Sequence, residues 1–129
     1  MKKTMIVILI LATLMAIAAC GKKASPEGVA DSFLTALEKK DFEAAKTMAT
    51  PESDGMISII ESFMANMKEE DMGVYQHKIT NTVVEGDSAQ VSYEIWTSLK
   101  PDEREKQELK IVKVDGQWKA SLEKGNMAK

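Results

Sequence analysis

Ser88-Ala89-Gln90-Val91-Ser92-Tyr93-Glu94-Ile95 alternates polar and apolar side chains at every step. Successive side chains of a strand point to opposite faces, so this pattern predicts a strand buried on one side only. Trp96 then falls on the otherwise polar face. Upstream, 74–84 is rich in Val, Ile, Thr and Tyr and reads as a strand. Glu85-Gly86-Asp87 joins the two as a hairpin turn. Downstream, Lys100-Pro101-Asp102-Glu103-Arg104 reads as a connection. A third strand is expected at 107–114, with Leu109 and Ile111 on one face and Val112 and Val114 on the other. That switch predicts a bulge or a strand covered on both sides. Asp115-Gly116 is a two-residue hairpin signal. It leads into a last strand at 117–122, with Trp118, Ala120 and Leu122 aligned.

The first half of the chain has a different period. Ser25-Pro26-Glu27 is a helix start, with a capping hydroxyl, proline in the first turn and an acid near the dipole's positive end. Val29, Ala30, Phe33, Leu34 and Leu37 follow at helical spacing, which predicts a helix over 26–39. Asp41 caps a short second helix carrying Phe42, Ala45 and Met48, and Thr50-Pro51 ends it. Ser53 is expected to cap a third helix with Met56, Ile59, Ile60, Phe63, Met64 and Met67 as its apolar face. Lys68-Glu69-Glu70-Asp71 reads as its fraying, solvated end, since acids oppose the dipole there. Three helices and four sequential strands make an α+β domain with helices on an antiparallel sheet.

Ahead of the domain, Met1-Lys2-Lys3 is positive, 5–19 is apolar except for Thr13, and Ile17-Ala18-Ala19-Cys20-Gly21 follows. Charge, apolar core and small residues in that order are a secretory leader. A bilayer span needs about 20 apolar residues, and this run stops short of that. Cys20 is the only cysteine, so an exported chain could not use it in an internal disulfide. The stretch resembles a bacterial lipobox, with Ile17 in place of the commoner leucine. The resemblance implies a leader at 1–19 cut between Ala19 and Cys20, diacylglycerol and palmitate on Cys20, and a tether at 20–25. Without an aspartate at position 21, it implies the periplasmic face of a Gram-negative outer membrane or the outer face of a Gram-positive cell membrane. The domain is then 26–123, with a polar tail at 124–129. Losing Lys2 and Lys3 with the leader takes the formal charge from −3 to about −5. No basic patch suited to nucleic acid is present.

A second resemblance concerns the domain. Ser25-Pro26-Glu27, Phe33-Leu34, Ala36-Leu37 and Asp41-Phe42-Glu43-Ala44-Ala45 are similar to the opening of nuclear-transport-factor-2-like domains. Val114-Asp115-Gly116-Gln117-Trp118-Lys119 is similar to their last hairpin. The resemblance implies three helices on a curved four-stranded antiparallel sheet, with a pocket between them. Ketosteroid isomerases of that superfamily place a tyrosine and acids inside the cone. Here that singles out Tyr75, Tyr93, Asp31 and Glu94.

Few residues carry chemistry on their own. His77 is the only histidine, no acid or nucleophile adjoins it in the chain, and a surface strand position is expected. One histidine and a single lipidated thiol make a zinc site unlike the usual ligand sets. No metal or other cofactor is expected beyond the covalent lipid. Met56, Met64, Met67 and Met72 make the third helix region methionine-rich, which suits either core filling or adaptable binding. Trp118 is expected in the core and Trp96 at an exposed contact. The expected pocket or interface residues are therefore Trp96, Tyr93, Tyr75, Met64 and Met67. The expected role is non-enzymatic: a membrane-anchored module binding a small apolar ligand or an envelope protein. A dimerising scaffold is the second reading and an isomerase-like enzyme the third.

Overall fold

The computed structural model describes residues 25–122. The expected leader at 1–19, the cleavage pair Ala19 and Cys20, the tether up to Ala24 and the tail at 124–129 lie outside the described residues. Helix α1 runs over Pro26–Glu38, α2 over Phe42–Thr47, a 3-10 turn over Pro51–Ser53, α3 over Asp54–Ala65 and α4 over Glu69–Met72. Strands β1 (Tyr75–Glu85), β2 (Ser88–Thr97), β3 (Lys100–Val114) and β4 (Gln117–Ser121) follow. They form one antiparallel sheet in the order β1-β2-β3-β4.

Local chemistry accounts for most of the boundaries. The Ser25 hydroxyl accepts a hydrogen bond from Gly28 N at 3.0 Å, and Asp41 Oδ1 accepts one from Ala44 N at 3.3 Å. Helix α1 closes with Asp41 N donating to Ala36 O and Lys40 N to Leu37 O. This is the double-bond stop that normally takes glycine in the left-handed position. Here Lys40 occupies it at φ 60°. Asp115 and Gly116, at φ 51° and 79°, make the expected tight turn between β3 and β4.

Expectations about three stretches, 68–71, 100–104 and 107–114, are corrected. The segment at 68–71 is not the frayed end of the third helix: α3 stops at Ala65 and a separate single turn, α4, follows. The acids then lie in the first turn of α4, where the dipole favours them. Lys100–Arg104 is not a loop but the start of β3, and the β2–β3 turn is Ser98-Leu99. The 107–114 stretch carries no bulge, since its register runs unbroken against both neighbours. The register shifts lie instead between Ile79 and Asn81 and between Ile95 and Thr97. Val112 is half-buried and Val114 exposed, so β3 is not covered on both sides there.

The core joins one face of α1 to one face of the sheet. Val29, Ala30, Phe33, Leu34 and Ala36 pack with Ala89, Val91, Leu109, Ile111 and Ala120. Ser53 was expected as a helix cap. Its side chain makes no capping bond and instead points inward. Its hydroxyl lies 2.7 Å from Thr50 Oγ1 and accepts from Leu122 N at 2.9 Å. Thr50 N donates to Ala120 O and Ala120 N to Met48 O, both at 2.8 Å. The link between α2 and α3 is thereby zipped to β4. This fixes α3 at its start, while its main packing is against α2 and the 3-10 turn rather than along the sheet.

Candidate functional site

Because α3 is held at its N-terminal end, space remains between its second half, α1 and the inner face of the sheet. Of the expected apolar face of α3, only Ile57 is fully buried. Ile60, Phe63 and Met64 overhang a recess of about 260 Å³. Leu34 and Leu37 of α1 form one wall, and Tyr75, Tyr93 and Ile95 form the floor. A second lobe of about 240 Å³ shares Leu34, Leu37, Ile60 and the same three floor residues. It extends over Phe33, Leu109 and Leu122 towards Glu105, Gln107 and Glu108. The strand alternation puts Tyr75, Tyr93 and Ile95 on the face that α1 covers. Helical spacing does the same for Leu34 and Leu37. Burial pushes the Tyr93 phenol above its ordinary value of 10.0, so it is a neutral hydrogen-bonding group at physiological pH.

Beside the recess, His77 bridges β1 to α1. The expected surface position is overturned: its side chain is only 8% exposed. Nε2 lies 2.7 Å from Asp31 Oδ1, and Nδ1 meets Glu38 Oε1. Asp31 and Glu38 are seven residues apart and so share one stripe of α1. His77 is on the inner face of β1, with Tyr75 and Ile79. Local sequence gave no sign of the contact because the partners are 46 and 39 residues away. Burial lowers the imidazole's pKa. The hydrogen bonds and charges of Glu38 and Asp31 outweigh it, and the net pKa is raised above 6.5. The two carboxylates hold opposite ring nitrogens, so the three groups do not converge on one point. Among the described residues, no three metal-ligating side chains do.

The expected site residues therefore separate. Tyr75, Tyr93 and Met64 meet in the recess. Met67 lines a small crevice next to it, with Met64, Met72 and Glu38. Asp31 is drawn off by His77. Glu94 lies on the opposite face of the sheet, where it pairs with Arg104 at 3.3 Å. The Arg104 guanidinium stacks 4.0 Å from the Trp96 ring centroid, and Trp96 Nε1 donates to Gln76 Oε1 at 2.9 Å. Trp96 lines a different, more polar groove of about 640 Å³ under the β2–β3 turn, together with Met72, Leu99 and Glu103. Trp118 is half-buried against the core. Sequence reasoning assigned Leu34, Leu37, Ile60 and Phe63 to the core and did not single out Glu38, Glu105 or Glu108. Phe63 being 61% exposed is the feature that periodicity could not show.

No family profile and no curated protein sequence matches the chain. Solved structures do. A candidate NTF2-like transpeptidase from Campylobacter jejuni superposes with a TM-score of 0.62 at 18% identity, covering 77% of this chain and 99% of that one. A SEC-C motif-containing protein from Rhodopseudomonas palustris gives 0.59 at 18% identity, covering 82% of each chain. A candidate dehydratase of the NTF2-like family from Streptomyces avermitilis gives 0.50 at 19%, covering 72% of this chain and 86% of that one. The domain has the nuclear-transport-factor-2-like fold, an α+β arrangement of helices on a four-stranded antiparallel sheet. At these identities the likeness is one of fold, and fold alone does not assign an activity.

Proposed function

We propose that this chain is a membrane-anchored envelope module that binds a small apolar ligand between its helices and its sheet. The observation that carries the reading is the open, two-lobed apolar recess floored by Tyr75, Tyr93 and Ile95. A folded domain normally fills such space, because unfilled apolar volume costs packing contacts. Lining dominated by apolar and aromatic groups with a few polar ones is the usual make-up of a small-molecule site. The lipobox supports the anchored half of the reading. An isomerase-like reading loses the convergence it would need, since Asp31 and Glu94 are both engaged away from the tyrosines.

The test uses purified full-length protein and the neutral fluorophore N-phenyl-1-naphthylamine. Its emission rises on entering an apolar site. Saturable enhancement is expected. Phe63→Ala, at an exposed position at the recess mouth, should weaken it by roughly three- to tenfold, the loss of part of one aromatic contact. An enhancement that Phe63→Ala leaves untouched places the fluorophore elsewhere and removes the recess as the ligand site.

A further inference from the structure

The floor of the recess runs on into charged ground. Across the sheet, Tyr75 pairs with Thr97 and Thr97 with Lys100, while His77 pairs with Ile95 and Ile95 with Glu105. Residues directly opposite one another on paired strands share a face. Lys100 and Glu105 therefore stand on the inner face with Tyr75 and Ile95, in two neighbouring rows. Between those rows, residues 101–104 have Trp96 alone opposite them, and this surplus of chain bulges from the ladder. The groove of about 640 Å³ lies here and shares Tyr75, Ile95 and Glu105 with the recess. Asp71, Glu103 and Arg104 also line it, and Arg104 reaches it from the outer face, where it pairs with Glu94 at 3.3 Å. An apolar recess thus adjoins a groove of mixed charge. We infer that the two together take a single-chain amphiphile with a zwitterionic head: the chain lies in the recess, the head's anion at Lys100 and its cation at Glu105. This rests on the recess being the ligand site.

The division of labour follows from the lining. A hydrocarbon chain gains by displacing water from Leu34, Leu37, Ile60 and Ile95. A head with one charge meets attraction from one of Lys100 and Glu105 and repulsion from the other, whereas a zwitterion can match both. Lys100 Nζ already lies 3.6 Å from Glu103 Oε2, with both side chains exposed. Exposed pairs contribute little, so a zwitterionic head exchanges this pair for its own at small cost, and no charge is left over. For the same reason each charge of the head is expected to add only roughly a two- to fivefold preference.

Competition against bound N-phenyl-1-naphthylamine tests this with octylphosphocholine, octyltrimethylammonium and octyl sulfate, all below their micelle-forming concentrations and at low ionic strength. 1-Octanol, with the same chain and no charge, serves as the reference within each variant. Octylphosphocholine is expected to displace the fluorophore at a concentration at least about threefold below either singly charged ligand. Lys100→Gln should bring it level with octyltrimethylammonium, and Glu105→Gln level with octyl sulfate. The wild type gives a check that needs no variant: the zwitterion's advantage should shrink as salt rises from about 0.01 M to about 0.15 M, since these charges are open to screening. Octylphosphocholine binding no tighter than the singly charged ligands, while octanol still competes, overturns the inference and leaves the recess as a ligand site. An advantage that neither substitution nor salt reduces puts the head elsewhere and also overturns it. Failure of the fluorophore to bind the wild type removes the recess reading, and the inference with it.

Discussion

His77 shows how one residue can join two layers. A strand side chain and two helix carboxylates meet across the edge of the core, and the carboxylates favour the charged form of the imidazole. Its folded pKa is raised above 6.5. A group with a raised folded pKa adds stability that is fully present below the unfolded value. That stability is lost as pH rises through the folded value. The wild type should therefore lose stability relative to His77→Gln as pH climbs from about 6 past the folded pKa. The loss is expected at about 1 kcal/mol or less, because Asp31 is largely exposed and solvent screens its charge. Urea denaturation midpoints of both proteins across that range measure it. Parallel pH curves would show that the bridge contributes nothing. None of this was legible from the sequence around position 77. The pairing needs strand and helix placed face to face, across 46 and 39 residues of chain.

Among the elements, those set by local chemistry were readable and those set by docking were not. Ser25, Asp41 and Asp115-Gly116 cap or turn the chain by hydrogen bonds and backbone angles of their own. The period-two pattern at 88–95 fixed which face of β2 is inside. The β2–β3 connection was misplaced because Lys100–Arg104 is charged and contains Pro101. Exposed side chains tolerate the charges, and Pro101 is tolerated because it falls near the start of β3, beside the register shift and beyond the stretch that β4 pairs with, where no ladder hydrogen bond needs its missing N–H. The joint between α4 and β1 depends on a contact no local pattern reveals. Gly73 sits at φ 75° and ψ −167°, a conformation close to glycine-only. A Cβ there would lie 2.5 Å from Ser98 Oγ and 3.0 Å from Leu99 N. The same turn is tied by Val74 N donating to Ser98 Oγ and Ser98 N to Val74 O, both at 2.9 Å. Gly73→Ala should cost roughly 1–3 kcal/mol, from backbone strain and the displaced turn together. Chemical denaturation checks the magnitude. Stability unchanged within about 0.5 kcal/mol would mean that the joint relaxes freely.

For the whole molecule, the fold class followed from the change of period near residue 74, whereas the open recess did not. Periodicity says which residues are apolar, not whether α3 lies down on the sheet. The zipped link at Thr50 and Ser53, which decides that, was visible only as a weak cap signal. Position relative to the membrane is a separate question, carried by residues outside the described domain. With Cys20 lipidated, the four residues before Ser25 let the domain sit no more than about 20 Å from the bilayer. An apolar ligand leaving the membrane would then have a short path to the recess. The mature charge of about −5 argues against attraction to anionic headgroups. Under the proposed anchor, the hold on the membrane would come from acyl chains, each buried methylene contributing roughly 0.8 kcal/mol. Cells fed radiolabelled palmitate should label the wild-type chain, and the labelled protein should stay with membranes in 1 M salt, where the Debye length is about 3 Å against about 30 Å at 0.01 M. Cys20→Ala should abolish labelling and leave the 1–19 leader attached, seen as a slower-migrating band. An unlabelled wild-type protein that keeps its leader would refute the anchor, leaving the recess to be explained without a membrane beside it.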